Sequence, residues 1–213
     1  MPDPVKSRSY RSAARAERAA ATRLAVLVAA RELFTSQGYV ATTVAQVAER
    51  AQVSVDTLYA SVGRKPQLLL AAHDMVLAGS DEPVPAEDRD YVVAVRRAEG
   101  AGAKINVYAE ALGRLLPEVV PLSNALRVAG ANDPECQAVW EALNARRAVN
   151  MRRFAADLRF TGELRDDLTD DDVADLVWSM NSPEYYLLVT ATGRTPADYA
   201  AFVADVWTRV LLA

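Results

Sequence analysis

Residues 38–65 read GYVATTVAQVAERAQVSVDTLYASVGRK. Within them Thr43-Val44-Ala45-Gln46 has the form of a capping box, in which the Thr43 hydroxyl accepts the Gln46 amide and the Gln46 side chain reaches back. Val44, Val47, Ala48 and Ala51 then recur at i, i+3, i+4 and i+7 and give one apolar helical face. Gln52-Val53 makes a tight turn, and Ser54 is suited to cap a second helix. In that helix Leu58 and Val62 lie one turn apart and point inward. Asp56 and Ala60 point away from them, Thr57 and Tyr59 flank the outer face, and Val55 leads it. The segment is therefore a short helix, a turn and a second short helix that runs into the basic pair Arg64-Lys65. Spacing alone leaves two meanings open: plain packing of two amphipathic helices, or a small exposed helix held across another so that it can enter a DNA major groove.

Outward from this segment, helical spacing continues in both directions. A first helix is expected over 18–37, with Leu24, Leu27, Val28, Arg31 and Phe34 near one face and Gly38 as its stop. A fourth is expected over 65–79, carrying Leu68, Leu69, Ala72 and Val76. Gly79-Ser80-Asp81-Glu82-Pro83-Val84-Pro85 is the clearest punctuation in the chain and sets a domain boundary. Further helices are expected over 88–98, 102–116, 118–130, 134–160, 170–193 and 196–212. Asp133 before Pro134 and Thr195 before Pro196 form good starts, each a capping residue followed by proline at the first helical position. No strand-like alternation bounded by turns occurs, so the fold class is all-α.

The bulk properties narrow the function. The chain has 213 residues, 51% of them hydrophobic, enough for one large or two small domains. The single cysteine, Cys136, suits a reducing compartment and a small buried side chain. The apolar run Leu24–Ala30 is too short for a secretory signal and is closed by Arg31 and Glu32, and no run reaches membrane-spanning length. A cytoplasmic protein with no membrane partner is expected. Formal net charge is −4 but is unevenly spread: residues 1–79 hold 10 basic and 6 acidic side chains, the remainder 14 and 22. A basic front on an acidic body suggests that the front meets a polyanion. His73 has no Cys or His partner at ligand spacing, and no phosphate-cradling glycine loop occurs. No catalytic, cofactor or metal site is expected, and the chain does not read as an enzyme.

Ala30, Phe34, Gly38-Tyr39, Thr42-Thr43-Val44, Val47-Ala48, Ala51, Val53-Ser54, Thr57-Leu58-Tyr59, Lys65 and Leu68-Leu69 together resemble the DNA-binding domain of the tetracycline-repressor (TetR) family of bacterial regulators. The likeness covers about 22–70 without gaps. It implies an all-helical, dimeric protein whose C-terminal domain binds small molecules and releases the DNA. It implies that Thr43 touches a phosphate, that Thr57 and Tyr59 contact DNA from the recognition helix, that Lys65 contacts backbone phosphate, and that Gly38 is a structural turn. Together with the outer face read above, the DNA-facing set is Thr43, Ser54, Val55, Asp56, Thr57, Tyr59, Ala60, Arg64 and Lys65. The chain departs from the family pattern at Gln52, where glycine is usual, at Val62-Gly63, and at Pro66. The recognition helix also carries no basic residue. Asp56 fits either a hydrogen bond from cytosine N4 or favourable charge at a helix N-terminus. Arg8, Arg11, Arg15 and Arg18 are spaced by three, four and three, so a helical extension would align them along DNA, whereas a disordered tail would leave them solvated.

Beyond residue 80, Trp178, Asn181, Ser182 and Tyr185 share a helical face, and Pro183 is expected to kink that helix into a pocket wall. Tyr108, Trp140, Asn144, Met151 and Phe154 are the other candidates to face such a pocket, with core or dimer contact as the alternative. Tyr199, Phe202, Val203, Val206, Trp207 and Val210 form a stripe on the last helix with no later element to cover it, which suggests a dimer interface. In the resembled family, the last two helices of each subunit build such an interface. The expected organisation is a flexible basic arm (1–17), a helix–turn–helix DNA-binding domain (18–79, motif about 43–62) and a ligand-binding and dimerisation domain (80–213). The expected partners are operator DNA, a second copy and a small, hydrophobic or aromatic effector. The alternative is a helical small-molecule-binding protein that has lost sequence-specific DNA binding.

Overall fold

The computed structural model describes residues 4–213, with side chains from residue 14 onward. Its described residues form α1 (Pro4–Ala41), α2 (Val44–Arg50), α3 (Val55–Ser61), α4 (Lys65–Ala78), α5 (Asp90–Arg97), α6 (Ala101–Gly130), α7 (Pro134–Arg159), α8 (Asp170–Met180), α9 (Pro183–Thr190) and α10 (Pro196–Leu211), with a 3₁₀ turn at Ala86–Asp88 before α5. No strand occurs among them; one isolated bridge pairs Leu164 with Leu212. The fold is all-α, as the periodicity predicts.

Local sequence explains most helix boundaries. The Thr43 side chain accepts the Gln46 amide and the Gln46 side chain accepts the Thr43 amide, completing the capping box that opens α2. Ser54 accepts the Thr57 amide at 3.1 Å and opens α3. Asp133 caps α7 through the amides of Glu135 and Cys136, and Thr195 and Asp198 form a capping box on α10. Gln52 takes φ 56 and is the one non-glycine residue in the left-handed region among the described residues. Gly38, at φ 79 and ψ 172, breaks the path of α1 where the stop is expected.

Four expectations change. First, α1 begins at Pro4 rather than near residue 18, because the alanine-rich stretch from Ala13 to Ala21 favours helix. The expected arm thus continues this helix from Pro4; residues 1–3 and the side chains of Arg8 and Arg11 lie outside the described residues, while Arg15 and Arg18 are exposed. Second, α6 runs unbroken through Pro117 and Pro121. Burial of Leu112, Leu116, Val119, Val120, Leu122 and Leu126 on both sides of the prolines outweighs the roughly 3 kcal/mol that an interior proline costs. Third, the expected kinked helix over 170–193 is two helices. The Ser182 hydroxyl accepts the Tyr185 amide at 3.1 Å, so Pro183 opens α9 at its first position instead of bending α8.

The fourth change concerns α10. Tyr199, Val203 and Trp207 are fully buried within their own subunit, so they are core rather than dimer interface. The element that covers them is α6, where Gly113 allows close approach: a Cβ there would lie 2.9 Å from Ala200 Cβ and 3.0 Å from the Pro196 carbonyl oxygen. The Tyr199 hydroxyl donates to the Met180 carbonyl at 2.6 Å, and the Tyr108 and Trp207 rings stack at 5.8 Å. Of the predicted stripe only Phe202 and Val206, half-buried, and Val210, exposed, retain an outward surface.

Two cores form. One joins Leu27, Phe34, Val47, Leu58, Leu68 and Leu69 of α1–α4 to Leu122 and Leu126 of α6 and Leu143 of α7. The other joins α5 and the first half of α6 to α7, α8, α9 and α10. Thus α6 and α7 belong to both, and the front of the chain packs directly on them. An ion pair fixes this docking: Arg146 of α7 donates through both guanidinium nitrogens to Asp74 of α4, each at 2.9 Å, and His73 Nδ1 lies 3.2 Å from the same carboxylate. Burial pushes the Asp74 carboxyl up, but hydrogen bonds from His73 and Arg146 more than offset it and hold it at about 2.

Two outcomes follow from these local arrangements. Gln52→Gly relieves the left-handed strain and raises stability by about 1 kcal/mol, read as a higher urea midpoint at unchanged slope; a lower midpoint contradicts the strain. Asp74 contributes stability that is fully present above its unfolded value of 3.8 and is lost as pH falls towards 2. Asp74→Asn is therefore less stable than the parent by about 2 kcal/mol at neutral pH, and urea titrations should find the gap shrinking below pH 4; a gap that ignores pH contradicts the ion pair.

Candidate DNA-binding surface and internal cavity

The α2–turn–α3 unit presents the face that its spacing predicts. Leu58 is fully buried, while Val55, Asp56, Thr57, Tyr59 and Ala60 are exposed on α3, with Ser54 exposed at its cap and Thr43 at the start of α2. The far end of α3 is tied down by a residue that sequence reading missed. Arg23 of α1 donates to the Ser61 carbonyl at 2.8 Å and to the Asp81 carbonyl at 3.0 Å. A cation at that end also suits the helix dipole.

The two basic residues after α3 already have partners inside the chain. Arg64 pairs with Glu135 at the start of α7 at 3.0 Å, with both side chains more than half exposed. Lys65 sits over the Tyr39 ring, its ammonium 4.1 Å from the centroid, and burial lowers its pKa. An exposed ion pair contributes about 0–1 kcal/mol, so Arg64 can exchange Glu135 for a phosphate at little cost. Arg50 is paired with Glu32 at 2.8 Å. Around α3, then, positive charge is sparse and mostly engaged.

Behind this surface lies a cavity of ≈ 260 Å³. His73 and Leu77 of α4 form one wall; Tyr91, Val92 and Val95 of α5 and Leu112, Leu116 and Val119 of α6 form others. Of the predicted pocket residues, Tyr108, Met151, Phe154 and Asn181 line it. Trp140, Asn144, Trp178 and Tyr185 do not. Trp140 packs on the first core and Tyr185 on the second. The Asn144 amide donates to the Trp140 carbonyl at 3.1 Å and its carbonyl accepts from Arg147 at 2.9 Å. The Trp178 ring stacks with Arg147, 5.4 Å away.

Polar groups converge on one side of the cavity. Arg147 donates to Asn181 Oδ1 at 2.5 Å and to the Trp178 carbonyl at 3.1 Å, and the Asn181 amide donates to the Tyr108 hydroxyl at 2.8 Å. Burial pushes the Tyr108 phenol up and the Arg147 guanidinium down, so the first stays a neutral hydroxyl. Arg89, Arg147, His73 and Tyr91 were not foreseen as cavity residues. Their positions depend on packing between distant helices, which single-helix spacing cannot report. The described residues include no group of three or more His, Cys, Asp or Glu placed to hold a metal, and no described helix is long and apolar enough to cross a membrane.

Residues 26–72 match the sequence model of the bacterial regulatory proteins of the tetR family. No curated protein matches the chain. Among solved structures, the chain is similar to NalD of Pseudomonas aeruginosa, the secondary repressor of the MexAB-OprM multidrug efflux pump: identity is 19%, 90% of this chain and 96% of that one are covered, and the TM-score is 0.65. It is similar to SmeT in complex with triclosan at 16% identity, with 91% and 92% covered and a TM-score of 0.65. A protein of Saccharomonospora viridis in complex with choline aligns at 16% identity, with 90% and 97% covered and a TM-score of 0.68. At these identities the structures speak for a common fold. Residues 26–72, which include the capped helix–turn–helix, thus carry the sequence pattern of the bacterial regulatory proteins of the tetR family, and the chain as a whole shares the fold of these structures.

Proposed function

We propose that this protein is a ligand-responsive transcriptional repressor that binds a palindromic operator as a homodimer and leaves it when a small molecule fills the cavity behind α4. In this reading residues 18–79 form the DNA-binding domain, residues 80–213 the effector and dimerisation domain, and the arginines of residues 1–17 an electrostatic arm. One juxtaposition carries the proposal. Helix α4 starts at Lys65, beside the exposed face of α3, and His73 on the same helix lines the cavity. The two positions are about 12 Å apart along a helix rising 1.5 Å per residue. A ligand that pushes on His73 or Leu77 therefore acts on the element that positions the recognition helix. Binding would shift the population between DNA-competent and DNA-incompetent arrangements.

Dimerisation is assigned to the surface that α10 still turns outward, at Phe202, Val206 and Val210. Two-fold symmetry would then present two α3 helices to two half-sites. Thr57 and Tyr59 would read base edges, and Thr43, Arg64 and Lys65 would hold phosphates. The apolar walls of the cavity suit a hydrophobic or aromatic effector, and similarly folded proteins hold triclosan and choline.

Footprinting of the DNA beside the gene for this protein is expected to reveal a protected palindrome, and Tyr59→Ala is expected to weaken that protection by about tenfold or more. Weak binding that salt erases, with no protected palindrome, would overturn the proposal. It would favour a small-molecule-binding protein without sequence-specific DNA binding, in keeping with the absence of basic residues on α3.

A further inference from the structure

We infer that the cavity recognises a compact amphipathic organic anion, with its charged head at Arg89 and Arg147 and its apolar body against α5, α6 and α7. The inference rests on the reading of this cavity as the effector site and adds the chemical class of the effector.

The first observation is Arg89. It lines the cavity, is only 8% exposed, and its Nε is buried without a hydrogen-bond partner. It forms no ion pair with the described carboxylates; Asp88 and Asp90 flank it in sequence but are exposed. Its own carbonyl accepts the Val92 and Val93 amides, so Arg89 is the capping residue of α5, and its side chain makes no cap hydrogen bond there. A buried cation without a counter-charge is strongly unfavourable and is retained where something else supplies the anion.

The second observation is independent of the first. Arg147, from another helix, lines the same cavity and is mostly buried, yet every hydrogen-bond acceptor it has is neutral: Asn144, Asn181 and the Trp178 carbonyl. Burial holds its pKa below the usual arginine value, as expected for an uncompensated charge. The nearby Glu184 is half exposed and lies 3.7 Å from Arg127.

The carboxylates that do line the cavity are already engaged. Glu87 accepts from Arg153 at 3.2 Å, and Asp157 accepts from Lys104 at 2.9 Å. With Arg96 also present, four arginines meet two carboxylates around this space, in a chain whose net charge is −4. Guanidinium groups favour planar oxyanions such as carboxylates, which accept two parallel hydrogen bonds. The remaining walls, Val92, Val95, Leu112, Leu116, Val119 and Phe154, fit a hydrocarbon or aromatic body. A volume of ≈ 260 Å³ lies just below the roughly 300–1,000 Å³ of pockets for drug-sized ligands, so the ligand is small.

The test is calorimetric titration of the full chain with octanoate, 1-octanol and octylammonium, which share a chain length and differ in head group. Octanoate is expected to bind, octanol about tenfold more weakly or worse, and octylammonium not at all. Arg89→Met should reduce octanoate binding to the octanol level, and without ligand it should melt at the same temperature as the parent or higher, because it removes an uncompensated buried charge. Arg89→Lys should keep part of the preference. Octanol or octylammonium binding as tightly as octanoate would overturn the anion class. So would octanoate binding that survives in Arg89→Met, or an Arg89→Met protein that fails to fold while Arg89→Lys shows no preference for octanoate. If all three compounds fail to bind, the anion inference falls, while release of the protein from its operator by a small-molecule extract of cells would keep the effector reading alive.

Discussion

The grip of Arg146 on Asp74 is the ion pair that ties α4 to α7. It joins α7, which is built into both cores, to α4, which follows directly on α3 and ends at Ala78. Helix α4 packs on α1, α6 and α7, so it has little freedom to tilt alone. Two equal hydrogen bonds from a planar guanidinium define an orientation as well as a distance. Held at its middle by this pair, and by the burial of Leu68, Leu69 and Ala72 in the first core, α4 has a definite seat against α6 and α7. A ligand in the cavity meets α4 one residue from Asp74, at His73.

Charge is distributed to match. Helix α3 has no cation, and Arg64 and Lys65 beside it are occupied by Glu135 and Tyr39. Uncompensated positive charge is found instead in the cavity, at Arg89 and Arg147. In the proposed function, attraction to DNA comes from weakly held side chains, which suits a contact that has to be released. On the cavity side it comes from buried groups, where a lower effective dielectric makes a single ion pair count for more.

What could be read from sequence follows the range of the interaction involved. Helix caps are local, so Thr43, Ser54 and Thr195 are legible as helix starts: Thr43 and Thr195 form capping boxes with Gln46 and Asp198, and Ser54 caps α3 through the Thr57 amide alone. The left-handed turn at Gln52 is equally local. Periodicity reports which residues of a helix are buried but not what buries them. The stripe on α10 has the right residues, yet Tyr199, Val203 and Trp207 are covered by α6 rather than by a second copy. Proline carries the same ambiguity. Pro183 opens a helix because Ser182 caps it, and Pro117 and Pro121 are tolerated because α6 is held on several sides, which neighbouring letters do not disclose. In the cavity, Tyr108, Met151, Phe154 and Asn181 are where the sequence expects them, while Trp140, Asn144, Trp178 and Tyr185, of the same character, are not, and Arg89 and Arg147 look like ordinary surface residues until the helices are assembled.

In the proposed function, DNA binding requires α4 to be held in place by its ion pair with α7. Arg146 lies outside both the exposed α3 face and the cavity lining, so the decisive measurement is the operator affinity of Arg146→Met, in protein shown to be folded by circular dichroism. If the ion pair sets the seat of α4, the operator dissociation constant changes by at least about fivefold with every DNA-facing residue intact. An unchanged constant in the folded variant would contradict the claim that the ion pair sets the seat of α4 for DNA binding.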